Sequence, residues 1–334
     1  MTKGDNLKAA VIGILISVFV TIIIFKFTET ELTWNAVKRA NPVFLLLALC
    51  MQVSFWLLWA LRLKMIASDL GYQVSYMYAF ETTMASMLAA AITPSSAGGE
   101  PLRMKMLSNK GVDFGTSAFV VITERILDSI FFALALPIFV IITGYFSNFG
   151  IKVAGIFSIC LLIFIYSLYR ILKNAESISN FSNLFRKIIG VWNKQKAESI
   201  SSKVQDGLEK FRAAALQMLS QPKEKILSLI LLTILLWSLG FMIPSFILIA
   251  FGSDPFILYS YTAQLIIVIV SLIPLTPGSS GIAEVSMAYL YSNFVNTSLL
   301  GILVALWRVI TYHLNIFAGI ISINFRIVKS KVFS

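Results

Sequence analysis

Charge is what this 334-residue sequence lacks most. Asp, Glu, Lys and Arg make up 13% of it, while hydrophobic residues make up 58%; an average soluble domain carries roughly 25% charged residues. That balance excludes a chain held mainly in water. Histidine occurs once, at His313, and cysteine twice, at Cys50 and Cys160. Both cysteines fall in apolar runs, too few and too buried to suggest a zinc centre or a disulfide framework. No Gly-x-x-x-x-Gly-Lys-Ser/Thr pattern is present, so any ATP would have to be used by a partner. Acids are scarcer than bases, 16 against 27, giving a net charge of +11. In a soluble protein that excess would suggest nucleic acid. Here the Lys and Arg sit in loops between apolar runs, where the bias of cytoplasmic loops and the anionic lipid surface account for them. No nucleic acid, metal or cofactor is expected.

Long apolar runs are what the sequence has instead. Residues 8–25, 43–61 and 226–251 are nearly uncharged and have the length of roughly 20 residues that crosses the ~30 Å hydrocarbon core. They read as helices, because every backbone polar group in lipid must be satisfied within its own segment. The expected fold is an all-α polytopic membrane protein with about six full transmembrane helices and two re-entrant or broken hairpins in an inverted repeat. The first run has a basic start but no small-residue cleavage site before Lys26, so it reads as an uncleaved helix.

The polar stretch 170–225 holds 11 of the 27 basic residues against five acids, which places it in the cytoplasm and separates two membrane halves. The first half is 1–170 with a hairpin over 76–107, the linker is 171–225, and the second half is 226–334 with a hairpin over 256–294. In the linker, Phe181, Leu184, Phe185, Ile188 and Trp192, then Ile200, Val204, Leu208, Phe211 and Ala215, recur at helical spacing; two amphipathic helices along the inner surface are expected. Arg62, Lys64, Arg103, Lys105 and Lys110 orient the loops of the first half, and Arg326, Lys329 and Lys331 the C-terminus. Both termini are then cytoplasmic, in a multi-pass protein of the cytoplasmic membrane. The hairpins enter from opposite faces, and arms that cross completely would preserve the same sidedness. Trp34, Tyr145, Tyr259 and Tyr261 fall near outer boundaries and read as an interfacial belt.

Each hairpin is broken by a similar motif. The first carries Thr93-Pro94, Ser95, Ser96, Gly98, Gly99 and Glu100; the second carries Thr276-Pro277, Gly278, Ser279, Ser280, Gly281 and Glu284. Thr, Pro, Ser and Gly keep the same offsets, and the acid slips by one. An arginine in an apolar helix follows each Thr by 32 residues, Arg125 and Arg308. Paired interruptions of this kind in two halves point to a midplane binding site. Pro101 just after Glu100, and Gly281 before Ile282, mark helix starts, whose N–H groups and positive dipole end suit a phosphate or carboxylate; the motif serines add hydroxyl donors.

Ionisable groups in spanning helices are costly, so they face protein or water. Glu124, Arg125 and Asp128 share one such helix, with Asp128 placed to pair locally with Arg125. Arg308 has no acid within four residues and needs Glu284, Glu100 or an anionic ligand. Arginine suits a lipid phosphate, since its planar fork binds two oxygens and stays charged. His313 reads as a packed, hydrogen-bonded residue.

The segment from Thr93 to Glu100 with Arg103, the Glu124-Arg125 pair, and the run from Ile273 to Glu284 followed by Trp307-Arg308 together resemble the flippase-like membrane region of the lysylphosphatidylglycerol synthase family. The resemblance covers residues 7–325. It implies handling of a membrane lipid with an anionic or phosphate-linked head group, such as aminoacylated phosphatidylglycerol or a polyprenyl-phosphate-linked sugar, with a homo-oligomer or a lipid-synthesis enzyme as partner. The synthases' soluble aminoacyl-transferase domain is expected to be absent, so their enzymatic activity is not carried over. Lipid flippase or transporter is the leading reading; an integral-membrane enzyme on a lipid phosphate or lipid-linked sugar, and a small-anion or ion transporter, are the alternatives.

Overall fold

The computed structural model describes residues 3–93, 98–144, 147–173, 194–273 and 276–332. Its elements are helices: α1 (Lys3–Thr28), α2 (Glu31–Lys38), α3 (Pro42–Asp69), α4 (Tyr76–Ala91), α5 (Gly99–Ser108), α6 (Phe114–Thr143), α7 (Ser147–Lys173), α8 (Lys194–Leu219), α9 (Lys223–Ala250), α10 (Ile257–Val270), α11 (Ile282–Tyr291), α12 (Thr297–Arg308), a π-helical turn (Val309–His313) and α13 (Leu314–Val332). The protein is an all-α, multi-pass membrane protein. Five stretches among the described residues are long and apolar enough to cross a membrane: Pro42–Asp69, Phe114–Thr143, Gly150–Arg170, Lys223–Ala250 and Thr297–Ile323. Helix α1 has 26 residues, and its stretch Ile14–Thr28 is a shorter apolar helix than these five. The α7 span is 6% buried, so nearly its whole circumference is left for lipid.

The frame is an antiparallel pair. At one end of α3, Asn41 N donates to Ala250 O at 2.8 Å; at the other, Lys225 Nζ lies 2.7 Å from Asp69 Oδ1. These contacts define an Asn41 end and an Asp69 end. Helix α6 begins at the Asp69 end, where Tyr72 Oη donates to Asp113 Oδ2 at 3.0 Å. It finishes at the Asn41 end, where Thr143 and Thr262 hydroxyls lie 3.4 Å apart. Helix α12 starts at the Asn41 end, with Thr33 Oγ1 donating to Ser298 O at 2.5 Å. Helix α13 runs down α4 towards the Asp69 end, where Ser322 Oγ donates to Glu81 O at 3.5 Å.

Hairpin one, α4 and α5, therefore rises from the Asp69 end, and hairpin two, α10 and α11, descends from the Asn41 end. Their arms have 16 and 10 residues, and 14 and 10, or roughly 24, 15, 21 and 15 Å at 1.5 Å per residue. None spans ~30 Å of hydrocarbon. The tips meet, with Gly278 N donating to Thr93 O at 3.1 Å. Gly278 is required there: it has φ +55°, and a Cβ would lie 2.6 Å from the Tyr312 ring and 2.8 Å from Ala91 O.

Several expectations need correction. The second span runs on to Asp69 instead of ending at Leu61, so Arg62 lies inside a helix and is fully buried. Its apolar neighbours Leu63, Ile66 and Ala67 continue the packed face beyond it. Tyr261 belongs to the core, 8% exposed, with its hydroxyl 2.7 Å from Ser238 Oγ. Cys50 and Cys160 are exposed on their spans. In the linker, Phe181, Leu184, Phe185, Ile188 and Trp192 lie outside the described residues. The stripe of α8 turns onto α6: Phe211, Ala214, Ala215 and Met218 are buried, and Phe119 and Phe211 meet edge to face at 5.3 Å.

Candidate functional site

Two ion clusters flank the meeting point of the tips. In the first, Arg62 Nη1 donates to Asp128 Oδ1 at 2.6 Å and to Thr233 Oγ1 at 3.0 Å, Nη2 to Asp128 Oδ2 at 3.3 Å, and Nε to Glu124 Oε1 at 3.4 Å. Arg103 Nη1 donates to Glu124 Oε2 at 2.5 Å, and its Nη2 to Ser86 Oγ at 2.9 Å. Trp237 Nε1 donates to Asp128 Oδ1 at 2.7 Å. Helices α3, α4, α5, α6 and α9 each supply a partner, so the bundle is locked together at this level. Buried charges persist only when paired and hydrogen-bonded, and both carboxylates meet that condition.

Arg125 is the exception. Its side chain is 35% exposed, with Nη2 3.1 Å from Asp128 Oδ2 and Nε 3.9 Å from Glu100 Oε1. Neither nitrogen forms a hydrogen bond, although both are shielded. The guanidinium lies over the Trp59 ring at 5.2 Å, and that of Arg103 at 4.9 Å, an attraction between cation and ring face.

The second cluster is closed. Arg308 Nε donates to Glu284 Oε1 at 2.8 Å and Nη2 to Gly278 O at 3.4 Å. The other Glu284 oxygen accepts from Gly281 N at 2.8 Å. Tyr312, in the π-helical turn after Arg308, lies 4.2 Å from that guanidinium. Its hydroxyl donates to Ala91 O of hairpin one and accepts from Ser280 Oγ of hairpin two, both at 3.2 Å. One phenol thus ties both tips to the second arginine. His313 Nδ1 lies 3.2 Å from Arg308 O, while its Nε2 is buried without a hydrogen bond.

Between the clusters lies a cavity of about 320 Å³. Gly99, Glu100, Arg103, Arg125, Gly278, Ser279 and Arg308 all line it, with Trp59, Trp237 and Phe241 among its aromatic walls. Gly99 lets α5 close on α4, since a Cβ there would lie 2.9 Å from Ser86 O. Thr93 lies at the tip, with Oγ1 accepting from Gly98 N at 2.8 Å. Ser279 and Ser280 direct their hydroxyls to Ser271 O and to Tyr312. Thr276 Oγ1 is buried without a partner, next to Pro277. Pro94, Ser95 and Ser96 lie outside the described residues. Among the described residues, no group of three His, Cys, Asp or Glu side chains could hold a metal.

Arg62 is the site residue that the sequence hides, because a cation just after the apolar run 43–61 reads as a loop charge. A signal existed. Glu124 and Asp128 share α6 with one arginine, so one buried acid had no local cation. Tyr312 carried no comparable mark.

Comparison with known sequences gives a consistent picture. The sequence model of the lysylphosphatidylglycerol synthase TM region matches residues 10–319. A UPF0104 membrane protein of Archaeoglobus fulgidus is 60% identical over 320 residues, covering 96% of this chain and 98% of that protein. UPF0104 membrane proteins of Methanothermobacter thermautotrophicus and Pyrococcus horikoshii are 26% and 25% identical, covering 77% and 83% of this chain and 78% and 85% of their own lengths.

Proposed function

We propose, from the premise that this chain belongs to the family of the lysylphosphatidylglycerol synthase TM region, that it moves a lipid with an anionic or phosphate-linked head group between the leaflets of the cytoplasmic membrane. Aminoacylated phosphatidylglycerol and a polyprenyl-phosphate-linked sugar both fit that description. The observation that carries the reading is Arg125: a side chain 35% exposed at the junction of two half-membrane hairpins, lining the cavity, whose shielded Nε and Nη2 make no hydrogen bond. A phosphate oxygen pair would complete its fork. The head group enters the cavity, along its aromatic walls, while its tails stay in the bilayer.

The test is leaflet accessibility in reconstituted vesicles with labelled head groups. Wild-type protein should accelerate exchange of an anionic lipid, and Arg125→Ala should abolish it in protein that remains folded. Uptake of a lipid-free anion, without any lipid exchange, would instead favour a small-anion transporter. Orientation is tested separately in a variant with Cys50 and Cys160 replaced by serine. A cysteine at Asn296 should be labelled from outside the cell and one at Asn109 from inside; the reverse would overturn the proposed cytoplasmic termini.

A further inference from the structure

The acidic side chains around the tips are not equivalent. Glu124 accepts from Arg62 and Arg103, Asp128 from Arg62 and Trp237, and Glu284 from Arg308 and Gly281 N. Their side chains are 0%, 3% and 0% exposed. Protonating any of them would put an O–H where fixed N–H donors already point.

Glu100 is different in each respect. Its side chain is 33% exposed, it lines the cavity, and among the described residues it makes no hydrogen bond, only the loose 3.9 Å approach to Arg125. The other charges around it are already engaged. On its own helix, Arg103 turns to Glu124 and Ser86. On α6, Asp128 stands behind Arg125. On α4 the ionisable acid is Glu81, lower towards the hairpin base. Across the cavity, Arg308 is held by Glu284.

Counting charges decides what must happen when an anion arrives. Arg62, Arg103 and Arg125 face Glu124 and Asp128, three cations to two anions, and Glu100 completes the balance. A bound anion would leave one negative charge in excess, where uncompensated charge is strongly disfavoured. Resting on the lipid-anion reading above, we propose that Glu100 is the internal counter-ion the ligand replaces, and that it takes up a proton as the ligand's anion engages Arg125. The carboxylate gains its proton from the aqueous phase when the anion enters. The same O–H bond breaks when the anion leaves, and the proton departs with it. One anion and one proton then move together, with no net charge transferred.

The experiment is proton uptake on binding, measured in detergent by calorimetry in buffers of different ionisation enthalpy, with dihexanoyl phosphatidylglycerol as the probe. Wild-type protein should take up about one proton per probe bound, and its affinity should therefore fall as pH rises. Glu100→Gln, which alters only a loose contact, should bind with neither uptake nor pH dependence. Binding by wild type without proton uptake, or uptake persisting in Glu100→Gln, would overturn the proposal while leaving the lipid-anion reading intact. Failure of wild type to bind the probe would overturn both. In vesicles, wild-type exchange should follow a pH gradient and ignore membrane potential. Glu100→Gln should show the reverse, and an unchanged response in that variant would contradict the assignment.

Discussion

Both hairpins carry the order Thr-Pro-x-Ser-x-Gly and an arginine 32 residues beyond the Thr. The second half has closed its arginine, with Arg308 and Glu284 side chains 7% and 0% exposed at 2.8 Å; the first has left Arg125 35% exposed, 3.1 Å from Asp128 on its own helix and 3.9 Å from the motif acid Glu100. A slip of one residue explains the difference. Glu284 is the third residue after the cap Gly281, the position from which a side chain reaches back to the cap N–H, and it bridges that N–H to Arg308. Glu100 is only the second residue after Gly98 and points elsewhere on the helix. The Gly98 N–H is satisfied by Thr93 Oγ1 instead, while the corresponding Thr276 Oγ1 is left without a partner. Two near-identical loops thus give one sealed structural joint and one open site.

Substitutions should separate the joints from the site, beginning with the largest effect. Arg62→Met strands Asp128 and Glu124 in the bundle core and should cost about 3–5 kcal/mol, seen as loss of monodisperse, folded protein in detergent. Arg308→Ala should come next: it leaves Glu284 buried with only the Gly281 N–H, a penalty of about 3 kcal/mol, whereas Arg125→Ala should leave the melting temperature close to wild type. Equal losses from the two arginine variants would remove the distinction between halves. Tyr312→Phe keeps the ring over Arg308 but deletes the hydroxyl shared by the two tips, at about 1 kcal/mol, and should increase the rate of hydrogen exchange at Gly278.

The smallest effect belongs to Lys210→Ala, away from both hairpins. Lys210 and, to a smaller extent, Tyr72 hold the Asp113 carboxyl below the usual carboxylate range by hydrogen bonding. A depressed folded-state value means that their contribution is present above that range and fades as pH falls through it. The variant should therefore lower the melting temperature only slightly at neutral pH, and not at all in acid; a large shift would give α8 a greater part in the fold than its exposed ion pair supports.

Much of the architecture was legible from the sequence because lipid restricts the choices. Apolar length gives the spans, and Pro and Gly at matching offsets give the two hairpins. The contact between tips was not legible, since a single hydrogen bond between Gly278 and Thr93 leaves no periodic trace. The identity of the ion partners was half legible. Asp128 near Arg125 followed from helical spacing, but Arg62 comes from 62 and 66 positions away from the acids it serves. The division of labour between Arg125 and Arg308 lay in a one-residue offset whose meaning depends on where each helix starts.

The asymmetry is tested most directly by the affinity of dihexanoyl phosphatidylglycerol for wild type and Arg125→Ala in detergent, with folding checked by melting temperature. Loss of a charge-assisted interaction of about 1.5–3 kcal/mol predicts weakening of roughly tenfold or more, with the melting temperature unchanged. Undiminished affinity in folded Arg125→Ala would contradict the account.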